Sequence, residues 1–284
     1  MKAEQLLKDA RKELRAGTNH LSWAGDVPGE AVEMLEAALG RTPYLDDEIP
    51  APAARKFRQM VARRAKGEPL PYILGFKEFM GMNLSVKRGA FVPRTSSESL
   101  AKEAIRRARP RQRPLVADIA CGIGPVAMGV AKSLPRAKVY GCDLSAPALA
   151  QGRANAAALK IRNVEFLHGS LFAPLPKSAR GALDVVTSHP PYIAKHELPE
   201  LPTELLKFEP RMSLTDGRSG DGLDLVRTIV AEAREWLRPG GWLLIEMGPE
   251  VSRPVRAMFT RNGYRDVRSR PDHLDVTRII SGRV

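Results

Sequence analysis

The chain has 284 residues, with 45 Lys and Arg against 32 Asp and Glu for a formal charge of +13, and it is 43% hydrophobic and 27% charged. That length suits one large domain or two ordinary ones, and the composition excludes collagen-like, wholly disordered and disulfide-scaffold chains. The positive excess predicts either an anionic partner, such as RNA, a ribonucleoprotein or an acidic protein, or simply a solvated basic surface.

The amino-terminal Met1-Lys2-Ala3-Glu4-Gln5 lacks the apolar core of a signal peptide. No stretch approaches ~18 consecutive apolar residues, so no membrane span is expected. From Ala3 to about Ala65 apolar residues recur at helical spacing. They run through Leu6, Leu7 and Leu14, then Ala31, Met34, Leu35, Ala38 and Leu39 after a breaker at Asp26-Val27-Pro28-Gly29, then Phe57, Met60 and Val61 after Pro50-Ala51-Pro52. This predicts a small all-helical N-terminal domain, ended by the proline-containing stretch Gly67 to Tyr72. Next, Met82-Asn83-Leu84-Ser85-Val86 alternates behind a glycine, as one half of a hairpin does.

From Leu115 the rhythm changes to strand, loop, helix. Strands are predicted at 115–119, 138–143, 164–167, 183–187 and 242–246, with helices through Ala131, from Pro147 to Leu159 and from Leu223 to Leu237. Such alternation implies a mostly parallel sheet covered on both faces, with ligands at the carboxyl ends of its strands. Cys121 and Cys142 have no metal-ligand spacing and are too few to scaffold the chain, so a reducing cytoplasm is expected. The scattered His20, His168, His196 and His273 predict no metal site.

Two features mark a nucleoside site. Asp118-Ile119-Ala120-Cys121-Gly122-Ile123-Gly124 puts two glycines in the turn leaving the first sheet strand, where a missing Cβ lets backbone approach a ligand. A dinucleotide fingerprint wants a third glycine, but Pro125-Val126-Ala127 follows, which disfavours hydride transfer. The second sheet strand ends on Asp143, placed for a carboxylate to accept both ribose hydroxyls. Together these predict an adenosine-type cofactor without a pyrophosphate.

Ser188-His189-Pro190-Pro191-Tyr192 follows the fourth sheet strand, and at this point the chain resembles the class I S-adenosylmethionine-dependent methyltransferases. More of it is similar to one branch, the HemK/PrmC-type protein-(glutamine-N5) methyltransferases of peptide-chain release factors. The matching stretches are Gly67-Glu68-Pro69-Leu70 through Gly75, Glu78-Phe79-Met80-Gly81, Pro93-Arg94 with Glu98, Phe208-Glu209-Pro210, Asp221-Gly222-Leu223, Gly240-Gly241 and Glu246-Met247-Gly248.

The resemblance implies an α/β fold in which a Rossmann-like seven-stranded class I methyltransferase domain is preceded by a small all-helical domain. The expected bounds are 1–68 for a helical substrate-recognition domain, 69–92 for a connector with a β-hairpin and 93–284 for the catalytic domain. It implies S-adenosyl-L-methionine held by Asp118, Ala120, Gly122, Gly124, Asp143, Leu144, Ser170, Leu171, Arg94 and His189. His189, Pro190, Pro191 and Tyr192 are the expected catalytic loop, with Pro190, Tyr192, Phe208, Glu209 and Arg211 facing the acceptor. No metal is implied, and the location is cytoplasmic.

The chain departs from the family pattern where chemistry is expected. His189 stands for the family's Asn, Pro93-Arg94-Thr95-Ser96-Ser97-Glu98 for Pro-Arg-Pro-Glu-Thr-Glu, and Ser170 for an acid near the adenine amino group. As neutral imidazole His189 accepts a hydrogen bond through one ring nitrogen; as a general base it suits a different nucleophile, on a small molecule or nucleic acid. A catalytically degenerate relative that binds a partner is the third alternative. The basic runs Arg55-Lys56-Phe57-Arg58, Arg63-Arg64-Ala65-Lys66 and Arg106 to Arg113 predict a docking surface on the N-terminal side, favouring a macromolecular acceptor.

Overall fold

The computed structural model describes residues 1–17, 27–217 and 220–284, so His20 and Asp26 lie outside the described residues. The chain divides into two compact units: Met1–Lys77 with Val86–Arg88 and Pro199–Glu209, and Glu78–Ser85 with Gly89–Leu198 and Pro210–Val284.

The first unit packs α1 (Ala3–Gly17), α2 (Val27–Leu39) and α3 (Ala51–Ala65) around Leu6, Leu14, Met34, Leu35, Phe57 and Val61, all buried. The breaker expected before the second helix is part of it. Pro28 and Gly29 sit in its first turn, where a proline's missing N–H has no intrahelical partner to lose. The stretch from Gly67 to Tyr72 that follows α3 itself opens a short helix. α4 (Leu70–Leu74) starts after Pro69 with Pro71 in its first turn, and Gly75 closes it in the left-handed conformation.

Two of the basic runs are partly spent inside this unit. Arg64 is 2% exposed, pairing through Nε with Glu30 at 2.8 Å and through Nη1 with Glu204 of the short helix Thr203–Phe208 at 3.3 Å. Arg63 pairs with Glu68 at 2.8 Å, and two arginines and their hydrogen bonds hold that carboxyl down at about 2. Phe57 belongs to the core. Arg55, Lys56, Arg58 and Lys66 are the exposed basic remainder.

A hairpin of β1 (Phe76–Phe79) and β2 (Met82–Ser85) follows, and then α5 (Ser97–Ala108) leads into the sheet. The alternation from Leu115 becomes β3 (Leu115–Ile119), α6 (Pro125–Ser133), β4 (Lys138–Asp143), α7 (Ala146–Ala158), β5 (Val164–His168) and β6 (Leu183–Ser188). Past α8 (the helix Thr203–Phe208) come α9 (Asp224–Trp236), β7 (Leu237–Glu246), α10 (Ser252–Arg261), β8 (Arg265–Pro271) and β9 (Thr277–Arg283).

The seven strands lie in the order β5-β4-β3-β6-β7-β9-β8, all parallel except β9, which runs antiparallel to both neighbours. Ile119, Val186, Ile229, Val230, Leu243, Ile245 and Phe259 fill the main core. β7 begins at Leu237, five residues earlier than the pattern predicts, and β8 and β9 were not located by it. The third basic run is also paired within this unit: Arg106 and Arg107 contact Glu103, and Arg111 reaches Asp184. Among the described residues no helix is long and apolar enough to cross a membrane.

One consequence of register positions the site. Cys142 pairs with Ile119, Ile119 with Ser188, and Ser188 with Ile245. The next residues, Asp143, Ala120, His189 and Glu246, therefore line one edge of the sheet where four neighbouring strands end.

Candidate active site

Beside β3 the site is built from backbone. Ala120 at φ 57 and Gly122 at φ 58 carry the chain through left-handed turns, and Gly124 at φ 73 caps α6. An alanine in that conformation is strained, and such strain gathers at functional sites. The two glycines serve different ends. A Cβ on Gly122 meets nothing within 4 Å, whereas one on Gly124 comes within 2.3 Å of the Phe166 ring.

Two carboxylates hold this loop. Asp143 Oδ2 accepts the Gly122 N–H at 2.7 Å and its Oδ1 the Ser145 N–H at 2.8 Å, while burial pushes its pKa up. Asp118 is 3% exposed; its Oδ1 accepts the Thr187 hydroxyl at 2.7 Å and its Oδ2 the Ala127 N–H at 3.2 Å. Burial raises its carboxyl to about 7. Asp118 thus braces the loop from below, and Asp143 stands half-exposed at the rim. Leu144 next to it is 57% exposed, a large apolar side chain facing solvent at a strand end. After β5, Ser170 is exposed and Leu171 holds φ 48.

Beside β6 the site is built from side chains that converge from distant segments. His189 follows the strand with its ring edge-on to Phe91 at 6.1 Å and near-parallel to Tyr192 at 6.1 Å. The Ser97 hydroxyl lies 3.4 Å from Nδ1 and Glu246 Oε2 lies 3.6 Å from it. The Arg94 guanidinium rests on the Phe91 ring, 4.3 Å from its centroid. Burial pushes the Tyr192 phenol up to about 12, so it is neutral at working pH.

The Pro-Pro-Tyr backbone is held from behind. Ile193 N–H donates to Leu214 O at 3.0 Å, and Ala194 N–H to the Glu197 carboxylate at 2.9 Å. Gly222, at φ 71, lies so close that a Cβ there falls 2.5 Å from Tyr192 O and 2.6 Å from Ala194 N. The motif Asp221-Gly222-Leu223 therefore has a steric reason: only glycine lets that turn pack on the loop.

Of the residues predicted from sequence, the structure brings Asp118, Ala120, Gly122, Gly124, Asp143 and Leu144 to the β3–β4 side, and Arg94, His189, Pro190, Pro191 and Tyr192 to the β6 side. Phe208 and Glu209 belong to the first unit, where Arg88 and Lys207 cover the Phe208 ring and Glu209 is buried. Arg211 is exposed at the start of a single 3-10 turn. Glu246, Ser96, Ser97, Phe91 and Gly222 are the residues around the loop that the site prediction missed. Cys121 and Cys142 are buried and unpaired, and burial raises the Cys142 thiol to about 12, which leaves it inert as a nucleophile.

A parallel-centred seven-stranded sheet with its glycine turn, acidic strand end and Pro-Pro-Tyr loop at one edge defines a methyltransferase of the Rossmann-like class. Solved structures share this fold. They include a 16S rRNA methyltransferase of T. Thermophilus in complex with AdoMet and guanosine (17% identical, TM-score 0.52, 73% of this chain and 49% of that one). A methyltransferase from Pyrococcus furiosus is comparable (16% identical, TM-score 0.51, 72% and 89%).

Residues 116–207 match the family described as methyltransferase domain, and residues 5–75 match the PrmC N-terminal domain. Among curated relatives, the release factor glutamine methyltransferase of Geobacter sulfurreducens is 41% identical over 227 residues, covering 80% of this chain and 77% of its own. That of Bordetella pertussis is 37% identical over 258 residues, covering 89% and 93%. The chain belongs to the release factor glutamine methyltransferase family.

Proposed function

We propose that this protein transfers a methyl group from S-adenosyl-L-methionine to the side-chain amide nitrogen of a glutamine in a peptide-chain release factor, in the cytoplasm. The observation that carries the reading is the His189-Pro190-Pro191-Tyr192 loop at the same sheet edge as the Asp143-braced glycine turn, in a chain whose relatives bear that activity.

The residues present fit the adenosyl cofactor. Gly122 leaves its backbone face open, Asp143 sets a carboxylate at the rim for ribose hydroxyls, and Leu144 offers an exposed apolar surface for a base. Ala120, Ser170 and Leu171 complete that side, Asp118 and Gly124 hold its shape, and Arg94 and His189 bound it towards the acceptor. When bound, the cofactor supplies an electrophilic methyl on a sulfonium.

The rest falls to the chain's own groups. An amide nitrogen is a poor nucleophile because its lone pair is shared with the carbonyl, so it must be oriented and its hydrogens held by acceptors. The backbone carbonyls of His189 and Pro190 and the imidazole of His189 are the acceptors available. Pro190 and Pro191 fix φ and stiffen the loop, and Tyr192 packs along the incoming side chain. The helical unit, which matches the PrmC N-terminal domain, docks the factor.

The test is incubation of the full-length protein with a release factor and methyl-labelled cofactor, followed by peptide mass spectrometry. Label on the glutamine of the GGQ motif is expected. Label entering RNA or a small molecule instead overturns the acceptor assignment, and calorimetry without S-adenosylhomocysteine binding overturns the cofactor.

A further inference from the structure

Two departures from the family pattern, His189 and Ser96, meet on a single carboxylate. Glu246 is 1% exposed, and its Oε1 accepts the Ser96 hydroxyl at 2.7 Å. Its Oε2 is buried and accepts no hydrogen bond from the described residues, with His189 Nδ1 3.6 Å away. A buried carboxylate oxygen left without a hydrogen bond is destabilising. A turn of the ring by under about 1 Å brings Nδ1 to the roughly 2.8 Å of a charge-assisted bond, and catalytic hydrogen bonds commonly tighten in this way when substrate binds.

A carboxylate only accepts, so a neutral imidazole facing it must carry its proton on Nδ1; the opposite tautomer sets two lone pairs against each other. The Ser97 hydroxyl, 3.4 Å from Nδ1, serves as donor or acceptor and follows whichever proton Glu246 imposes. Tyr192 lies near-parallel and Phe91 edge-on to the ring, Tyr192 is neutral, and the Arg94 guanidinium rests on the Phe91 ring. Nε2 is hydrogen-bonded by none of the described residues.

We infer that Glu246 sets the tautomer of His189, so that Nδ1–H donates to Glu246 Oε2 and Nε2 is presented as a bare lone pair to an amide hydrogen of the acceptor. The ring then does the work of a side-chain carbonyl, which resolves the choice between acceptor and base in favour of acceptor. Glu246 acts through the ring and is a positioning residue. The inference rests on the proposed glutamine methylation for its purpose, but its geometry is a property of the free protein.

Two measurements test it. In the full chain with ¹⁵N-labelled histidine, with the His189→Asn spectrum used to assign the signal, the His189 ring in its neutral form is expected to show Nδ1 protonated and Nε2 bare. Glu246→Gln is expected to convert it to a mixture, while Ser97→Ala leaves it unchanged. A ring protonated on Nε2 in the unsubstituted chain overturns the inference, and that arm stands even if Glu246→Gln does not fold.

In turnover, Glu246→Gln is expected to lower kcat about 10- to 100-fold with KM held within about threefold. In the His189→Asn background the same substitution changes kcat by less than about threefold. Equal losses in both backgrounds overturn the inference. A chain that methylates no release factor yet shows the Nδ1–H ring defeats the acceptor reading and leaves the tautomer standing.

Discussion

The loops after β3 and β6 end neighbouring strands of one sheet, yet they are made by opposite means. The first is a backbone object: left-handed turns at Ala120 and Gly122, a glycine under Phe166, and two carboxylates receiving backbone N–H groups. The second is a side-chain object, in which Phe91, Ser97, Glu246 and Gly222 arrive from four separate segments to hold His189 and the Pro-Pro-Tyr backbone. A backbone object tolerates little exchange, because its turns and close approaches depend on a missing Cβ. A side-chain object can be re-equipped if its partners change together, and here Asn has become His beside two serines.

The sharpest way to separate the two loops is by pH. The Asp118 carboxyl stands at about 7, raised by burial from an ordinary value near 3.8. The folded chain therefore holds that proton more tightly than the unfolded one. The stability this contributes is whole below about pH 4 and is lost as pH rises towards about 7, by up to about 4 kcal/mol. Denaturant unfolding at a series of pH values is expected to show that decline, and Asp118→Asn to flatten it. Tyr192→Phe, in the other loop, leaves the slope as it was, because its phenol at about 12 does not titrate in that window. A slope that survives Asp118→Asn removes Asp118 as the group that braces the turn.

Next in size is Gly222→Ala. Its Cβ would sit 2.5 Å from Tyr192 O and 2.7 Å from the Ile193 carbonyl carbon, so the Pro-Pro-Tyr backbone must shift. A displacement of about 1 Å at a reacting site costs about a hundredfold in turnover. Cofactor affinity, which the proposed function assigns to the other loop, is expected to stay within about threefold. Calorimetry with S-adenosylhomocysteine beside kcat measures both, and a parallel fall in affinity would merge the two loops into one unit.

The contrast also explains what was legible beforehand. The sheet, its helices and the glycine turn follow from contiguous patterns, since alternation, apolar runs and Asp118 to Gly124 are local. β8 escaped because Arg265–Pro271 is mostly charged and exposed, as an edge strand is when it avoids pairing with other chains. Pro28 was misjudged because a proline stops a helix in its interior but suits its first turn. Glu246 was visible as a motif, yet its meeting with His189 depends on the parallel register Ser188 to Ile245, and that with Ser96 spans 150 positions. No periodicity encodes such a meeting. Nor does the sequence say which members of the basic runs are paired: Arg64 is buried between Glu30 and Glu204 in the fold.

Within the first loop, the two glycines offer a finer cut. Gly124→Ala drives a Cβ to 2.3 Å from Phe166 at a left-handed φ, and a loss of about 2–3 kcal/mol in unfolding free energy is expected. Gly122→Ala meets no atom within 4 Å and carries only the strain of its φ, about 1 kcal/mol, but it fills the face proposed for the cofactor. Its expected signature is weakened S-adenosylhomocysteine binding with the smaller stability loss. Equal stability losses would mean that both glycines serve packing.

The smallest effect expected is the most specific to binding. Leu144 is 57% exposed, so it contributes little to the folded state, and surface substitutions of this kind change stability by about 0.5 kcal/mol or less. A leucine side chain partly covered by a ligand's apolar face contributes about 1 kcal/mol to its binding. Leu144→Ala is therefore expected to weaken S-adenosylhomocysteine by about fivefold by calorimetry while leaving the thermal midpoint in place. An unchanged affinity would restrict the cofactor contact to the backbone of the turn and the carboxylate of Asp143, and would make the first loop a backbone object through and through.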